Sequence, residues 1–95
     1  MKTDVKRKVL KDAEKIPSSI KELVIETITA LENAENLFDL RNVSRMEETD
    51  EPYYRMKLRT YRLLIYYEQE TKTVTVHALT HRKDAYKKEN LPWRR

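Results

Sequence analysis

The chain has neither cysteine nor glycine among its 95 residues. Without cysteine there is no disulfide framework, no zinc ribbon and no thiol nucleophile. Without glycine, neither the P-loop nor the dinucleotide fingerprint can be built, since both bring a backbone free of Cβ against phosphate. His77 and His81 are the only imidazoles, and no local carboxylate pattern completes a metal site around them. No apolar run approaches the ~18 residues of a membrane-crossing helix. The basic start, Lys2-Thr3-Asp4-Val5-Lys6-Arg7-Lys8, is followed by no apolar stretch, so no signal peptide is expected. The expectation is a cytoplasmic domain with no cofactor and no metal.

What the chain does have is charge. Charged residues make up 38% of it, well above the usual ~25%. Twenty Lys and Arg oppose sixteen Asp and Glu, giving +4 and a pI near 9.3. That surplus suits a polyanion or an acidic partner protein, although many solvated surfaces carry as much. The length fits one domain, residues 1–95, with one small core.

The apolar spacing changes near residue 50. Lys2-Thr3-Asp4-Val5 reads as a short edge strand. From Lys6 to Ile16, Val9, Ala13 and Ile16 form one stripe of an amphipathic helix, which Pro17 stops. Ser19-Ile20-Lys21-Glu22 has the form of a capping box. Ile20, Leu23, Val24, Thr27, Ile28 and Leu31 follow at helical spacing. The two helices should form an antiparallel hairpin. Leu37, Phe38 and Leu40 are expected to anchor the exit, and 41–52 is read as a loop, with a solvated acidic stretch at Glu47–Glu51.

From Tyr53 onward, strand formers dominate. Three strands are predicted: Tyr53–Arg59, Tyr61–Glu68 and Thr73–His81. A two-residue turn at Arg59-Thr60 would pair Leu58 with Tyr61, Lys57 with Arg62 and Met56 with Leu63. Alternation then assigns Tyr54, Met56, Leu58, Tyr61, Leu63, Ile65 and Tyr67 to the core face. The other face collects Tyr53, Arg55, Lys57, Arg62, Leu64 and Tyr66. Three cations at the centre of a sheet repel one another, an arrangement that makes sense if a phosphate sits between them. The interleaved tyrosines would offer stacking surfaces to unpaired bases; the plainer alternative is a solvated face shielded by tyrosines.

Thr80-His81-Arg82-Lys83-Asp84-Ala85-Tyr86 gathers an imidazole, a fixed cation, an ammonium, a carboxylate and a phenol. These groups are suited to proton transfer and phosphate stabilisation, or simply to solvating a strand end. His77 is placed by alternation on the side of Leu79 and His81, and is read as structural or exposed. The tail Lys87–Arg95 is basic, with Trp93 expected to close an apolar seam.

Tyr53-Tyr54-Arg55-Met56-Lys57-Leu58-Arg59, then Tyr61-Arg62-Leu63-Leu64-Ile65-Tyr66, then His81-Arg82-Lys83-Asp84-Ala85-Tyr86 resembles the RelE/ParE toxin superfamily. The resemblance covers nearly the whole chain. The family's glycine-containing turn appears here as Arg59-Thr60-Tyr61-Arg62, without its glycine. The resemblance implies an α+β fold: a short N-terminal strand, then a helix hairpin packed on a C-terminal antiparallel sheet. It also implies a toxin of a type II toxin–antitoxin system, partnered by a cognate antitoxin. RelE-like members cut mRNA on the ribosome; ParE-like members inhibit DNA gyrase and lack the nuclease residues.

The matching positions favour the nuclease branch. Catalytic roles fall on Arg62 and Arg82 as phosphate holders, Tyr86 as nucleotide orienter, and His81 or Lys57 as proton carrier. Arg55, Arg59, Lys83, Tyr53 and Tyr66 are the expected RNA contacts. The alternatives are a gyrase-inhibiting or degenerate toxin acting by binding, and a non-catalytic RNA-binding module.

Overall fold

The computed structural model describes residues 1–93. Arg94 and Arg95, the end of the expected basic tail, lie outside the described residues. The chain forms strand β1 (Lys2–Val5), helices α1 (Arg7–Ala13) and α2 (Ser18–Asn33), then strands β2 (Val43–Arg45), β3 (Tyr53–Leu58), β4 (Tyr61–Glu68) and β5 (Thr73–His81). The sheet order is β1-β5-β4-β3-β2. β1 runs parallel to β5, and the remaining pairs are antiparallel. The α+β class, the edge strand, the helix hairpin and the C-terminal sheet are as the sequence predicts.

Several boundaries differ: α1 ends at Ala13, ahead of Ile16 and Pro17, and β3 ends at Leu58, one residue short of Arg59. The capping box at Ser19 does not form: α2 begins at Ser18 behind Pro17, and its N-cap makes no side-chain hydrogen bond. The Pro17 carbonyl accepts from the amides of Ile20 and Lys21. Proline's fixed φ, here −58°, starts the turn one residue early and leaves Ser19 inside the helix. The segment 41–52 is not wholly loop, since β2 pairs Val43 with Met56 and Arg45 with Tyr54. Three residues are too few to show a period of two.

The pairing of β3 with β4 follows the predicted register: Leu58 faces Tyr61, Lys57 faces Arg62 and Met56 faces Leu63. The turn between them puts Arg59 at φ 61°, and the β4–β5 turn puts Lys72 at φ 54°. A glycine-free chain must place L-residues in the left-handed region here, at about 1–2 kcal/mol each.

β4 is buried on both faces, with Leu63, Leu64, Ile65 and Tyr67 all inside. On the helix side, Val9, Ile20, Val24 and Leu31, from the two helical stripes, pack onto Met56, Leu58, Leu63, Ile65 and Tyr67, the face that alternation assigns in β3 and β4, and onto Val74, Val76 and Leu79 of β5. Leu37 joins this core. Phe38 stays largely exposed but sets its ring edge-on to Tyr54 and Tyr67.

On the opposite face a second cluster gathers Met46, Tyr53, Leu64, Ala78 and Leu91, with Tyr66 and Trp93 packed against it. Trp93 lies 4.7 Å from Tyr53, ring centre to ring centre, and closes the expected apolar seam. That face is therefore divided: its Tyr53 end is roofed by the C-terminal segment, and its Arg62 end is left open.

Candidate functional site

A bulge in β5 decides which side chains share a face. Leu64 pairs with Ala78, but the next residue, Ile65, pairs with Val76, so His77 is the extra residue. A bulge interrupts strict alternation. Its consequence corrects the expected placement of His77. The imidazole packs against Tyr53 and Tyr66 on the face away from the helices, at 5.6 and 6.4 Å between ring centres. Beyond the bulge, Leu79 and His81 point to the helix side, opposite Leu63 and Tyr61.

Thr80, paired with Arg62, is therefore the β5 residue on the basic face. Arg62, Thr80, Arg55, Tyr86 and Asn90 line a narrow cleft of about 10 Å³, room for about one water, floored by Leu64 and Ala78. The Arg55 guanidinium sits 5.6 Å from the Tyr86 ring centre, a cation–π contact. Arg62 is fixed from behind, its Nη1 donating to the carbonyl oxygens of Arg59 at 2.7 Å and Tyr61 at 2.8 Å. Lys57 pairs with Arg62 across the strands, shares its face and is exposed.

Tyr86 is brought to this cleft by the segment after β5. A short 3-10 turn, Arg82–Asp84, is capped by His81, whose Nδ1 accepts from the Lys83 amide at 3.2 Å. Behind it, the Lys87 ammonium lies 2.9 Å from Asp84 Oδ1. Its hydrogen bond and charge hold the Asp84 carboxyl below its ordinary range and raise Lys87. Asn90 donates to the Asp84 carbonyl and accepts from Lys8 Nζ, tying the segment back to α1.

Arg62 and Tyr86 thus meet in one cleft with Arg55, and Lys57 stands beside them. His81 does not join them. Its ring rests 5.3 Å from Tyr61 on the opposite face, and its Nδ1 lone pair is occupied by the cap. Arg82 is exposed, its amide donating to the Thr60 carbonyl at 2.7 Å. It stands beside the Arg59-Thr60 turn, outside the cleft lining. Arg59 and Lys83 are exposed at the same sheet end. Tyr53, expected to stack on a base, is only 7% exposed, because Trp93 and Tyr66 pack against it. Tyr66 is half-buried beside it.

Thr80 and Asn90 were not legible as lining residues. The bulge has no sequence signal, and Asn90 reaches the cleft only through the folded tail. Among the described residues, no group of three or more His, Asp or Glu is placed to hold a metal.

Two further grooves flank the cleft. One, of about 280 Å³, shares Met46, Arg55 and Tyr86 with it and adds Ser44, Arg45, Glu47 and Glu48. The other, of about 560 Å³, shares Ala78 and Asn90 with it and is lined by Lys6, Lys8, His77 and Lys88. Burial first, and then the Lys6 ammonium, push the His77 pKa below its ordinary value.

The sign for stability follows. Above ~6.5 the imidazole is neutral in folded and unfolded chains alike. As the pH falls below that value the unfolded chain takes up the proton first, so stability drops until the folded value is passed. Urea unfolding at about pH 7.5 and about pH 5 should show this loss in the wild type and a smaller loss in His77→Gln. An equal loss in both would assign the acid sensitivity to other groups.

The family described as the ParE toxin of type II toxin-antitoxin systems, parDE, matches residues 4–86. A search of curated proteins found no match. Among solved structures, the RelB–RelE antitoxin–toxin complex from Methanococcus jannaschii contains a chain 20% identical, with a TM-score of 0.74 over 87% of this chain and 94% of that one. The archaeal RelE–RelB complex from Pyrococcus horikoshii gives 21% identity and a TM-score of 0.71, covering 85% and 93%. The RelBE2 toxin–antitoxin complex from Mycobacterium tuberculosis gives 22% and 0.67, covering 84% and 95%. At these identities the likeness establishes a shared fold.

Proposed function

The chain belongs to the ParE toxin family of type II toxin–antitoxin systems, and from that premise we propose that it is a ribosome-dependent endoribonuclease acting on mRNA in the cytoplasm. One observation carries the reading: Arg55, Arg62 and Tyr86 converge in a single cleft, with Lys57 on the same face. Two guanidinium groups beside a ring suit a phosphate and its attached base.

In the reaction proposed, a ribose 2′-hydroxyl gives up its proton and its oxygen bonds to the adjacent phosphorus. The bond from phosphorus to the 5′-oxygen of the next nucleotide breaks, and that oxygen takes a proton. A 2′,3′-cyclic phosphate and a 5′-hydroxyl result, with no change of oxidation state. DNA lacks the nucleophile, so RNA is the substrate. Arg62 and Arg55 would balance the charge building on the phosphoryl oxygens. Tyr86 would hold the nucleotide. Lys57, rather than His81, becomes the proton carrier, because it is the titratable amine on the face of Arg62.

The fold is shared with toxins solved in complex with their antitoxins, which supports a cognate antitoxin as partner. An acidic segment that orders on binding would suit the basic face. A second reading, a toxin that acts by binding alone as ParE-like gyrase inhibitors do, is favoured by one observation. Among the described residues, the cleft lining holds no imidazole and no carboxylate.

The two readings part on a single experiment. Induced in a bacterial host, the wild type should arrest growth and leave new mRNA 5′ ends inside translated codons, and Tyr86→Ala should leave none. Arrest without new ends would replace the nuclease with the binding toxin.

A further inference from the structure

The 560 Å³ groove on the Lys6 side of the cleft takes no part in the reaction just described. Three ammonium groups, Lys6, Lys8 and Lys88, line it against a single carboxylate, Glu89. They come from the β1–α1 junction and the tail, which are far apart in sequence and are pinned together by the Lys8 Nζ–Asn90 Oδ1 hydrogen bond. All three lysines are exposed, so none is held in place by burial in the core, and Lys8 alone of the three is tied by a side-chain hydrogen bond among the described residues. The half-buried His77 forms part of the same wall.

We propose that this groove binds backbone phosphates of single-stranded RNA next to the phosphate held by Arg55 and Arg62. The inference rests on the RNA-cleaving reading of the cleft and extends it along the strand. Adjacency carries it first: Ala78 and Asn90 belong to both linings, so the lysine groove abuts the cleft. Charge gives the direction. The groove on the other flank carries Glu47 and Glu48 beside Arg45, a poorer path for a polyanion. The occupant is argued by charge: three ammonium groups against one carboxylate suit a polyanion, and a sugar-phosphate backbone offers one anion per nucleotide along its length.

The test uses the full chain and two uncleavable probes, a 2′-O-methyl oligoribonucleotide of about eight nucleotides and its dinucleotide. For Lys6→Gln/Lys8→Gln/Lys88→Gln, affinity for the longer probe should fall on the order of tenfold at low salt. The slope of log affinity against log salt should shrink by about 1.4–2.1, the share of two or three phosphates on a single strand. The dinucleotide, too short to reach the lysines from the end at Arg55 and Arg62, should bind as to the wild type. Lys8→Glu/Lys88→Glu should exceed the neutral variant's effect on the longer probe alone. Unchanged affinity and slope for that probe would overturn the inference and leave the cleft reading standing. So would a variant that keeps RNA but loses poly-glutamate, which would assign the groove to an acidic polypeptide. Failure of the wild type to bind either probe, both free and on ribosomes with an open decoding site, would overturn the RNA reading itself.

Discussion

Arg62→Ala should slow cleavage of translated mRNA by roughly 10²–10³-fold, the usual cost of removing one donor from a charge-stabilising site. Lys57→Ala should lose about 10²–10⁴-fold if the ammonium carries the proton. His81→Ala should change the rate little, because the imidazole faces Tyr61 and caps the turn that follows β5. Single-turnover cleavage on programmed ribosomes, with circular dichroism to confirm folding, reads all three. The pattern matters more than any single value. A large loss in His81→Ala with Arg62→Ala near wild type would move the chemistry to the other face. The turn loses support in Arg62→Ala, but the carbonyls it releases lie at an exposed hairpin end, so water can replace the guanidinium.

The largest effect on stability is expected at Ile65→Ala. Ile65 is fully buried in the central strand, paired with Tyr54 on one side and Val76 on the other. Large-to-small changes at such sites cost about 2–5 kcal/mol. Domains of this size have about 5–15 kcal/mol in all, and each kcal/mol moves the melting temperature by about 4–8 °C. A fall of some 10–30 °C in a thermal melt is the expected result. Leu31→Ala, equally buried on α2, should behave alike, whereas Ile25→Ala, on the exposed side of the same helix, should scarcely register. If Ile65→Ala melted within a few degrees of the wild type, the helices would not be packed on that strand.

Much of this architecture could be read from residue spacing. The helical stripes, the three long strands and the Lys57–Arg62 pairing all follow from periods of 3.6 and 2, because each element is long enough to show its period. What escaped reading was what no local period encodes. β2 is three residues long. Pro17 took the cap that Ser19-Ile20-Lys21-Glu22 seemed built for. The extra residue in β5 carries no marker such as glycine, yet it decides that Thr80 rather than His81 stands beside Arg62. The candidate cleft was legible for the same reason and to the same extent. Arg55, Lys57 and Arg62 lie on strands whose alternation holds, whereas Tyr86, Asn90 and the lysine groove depend on where a tail of short 3-10 turns comes to rest. Tyr53 shows the converse: alternation gave its face correctly, but the tail covers it.

The two carbonyl bonds that hold Arg62 Nη1 have a thermodynamic consequence. A long, free guanidinium side chain forfeits its rotational entropy when it captures an anion, at about 0.5–1.5 kcal/mol for each such side chain. In this chain that entropy is surrendered on folding, to the backbone of the Arg59-Thr60 hairpin. At the site proposed, an incoming phosphate would meet a guanidinium already held, worth about 2- to 10-fold in affinity at no cost in new contacts. The same tether would make the left-handed turn and the phosphate site one thermodynamic unit, so that loosening the hairpin would also weaken the hold on phosphate.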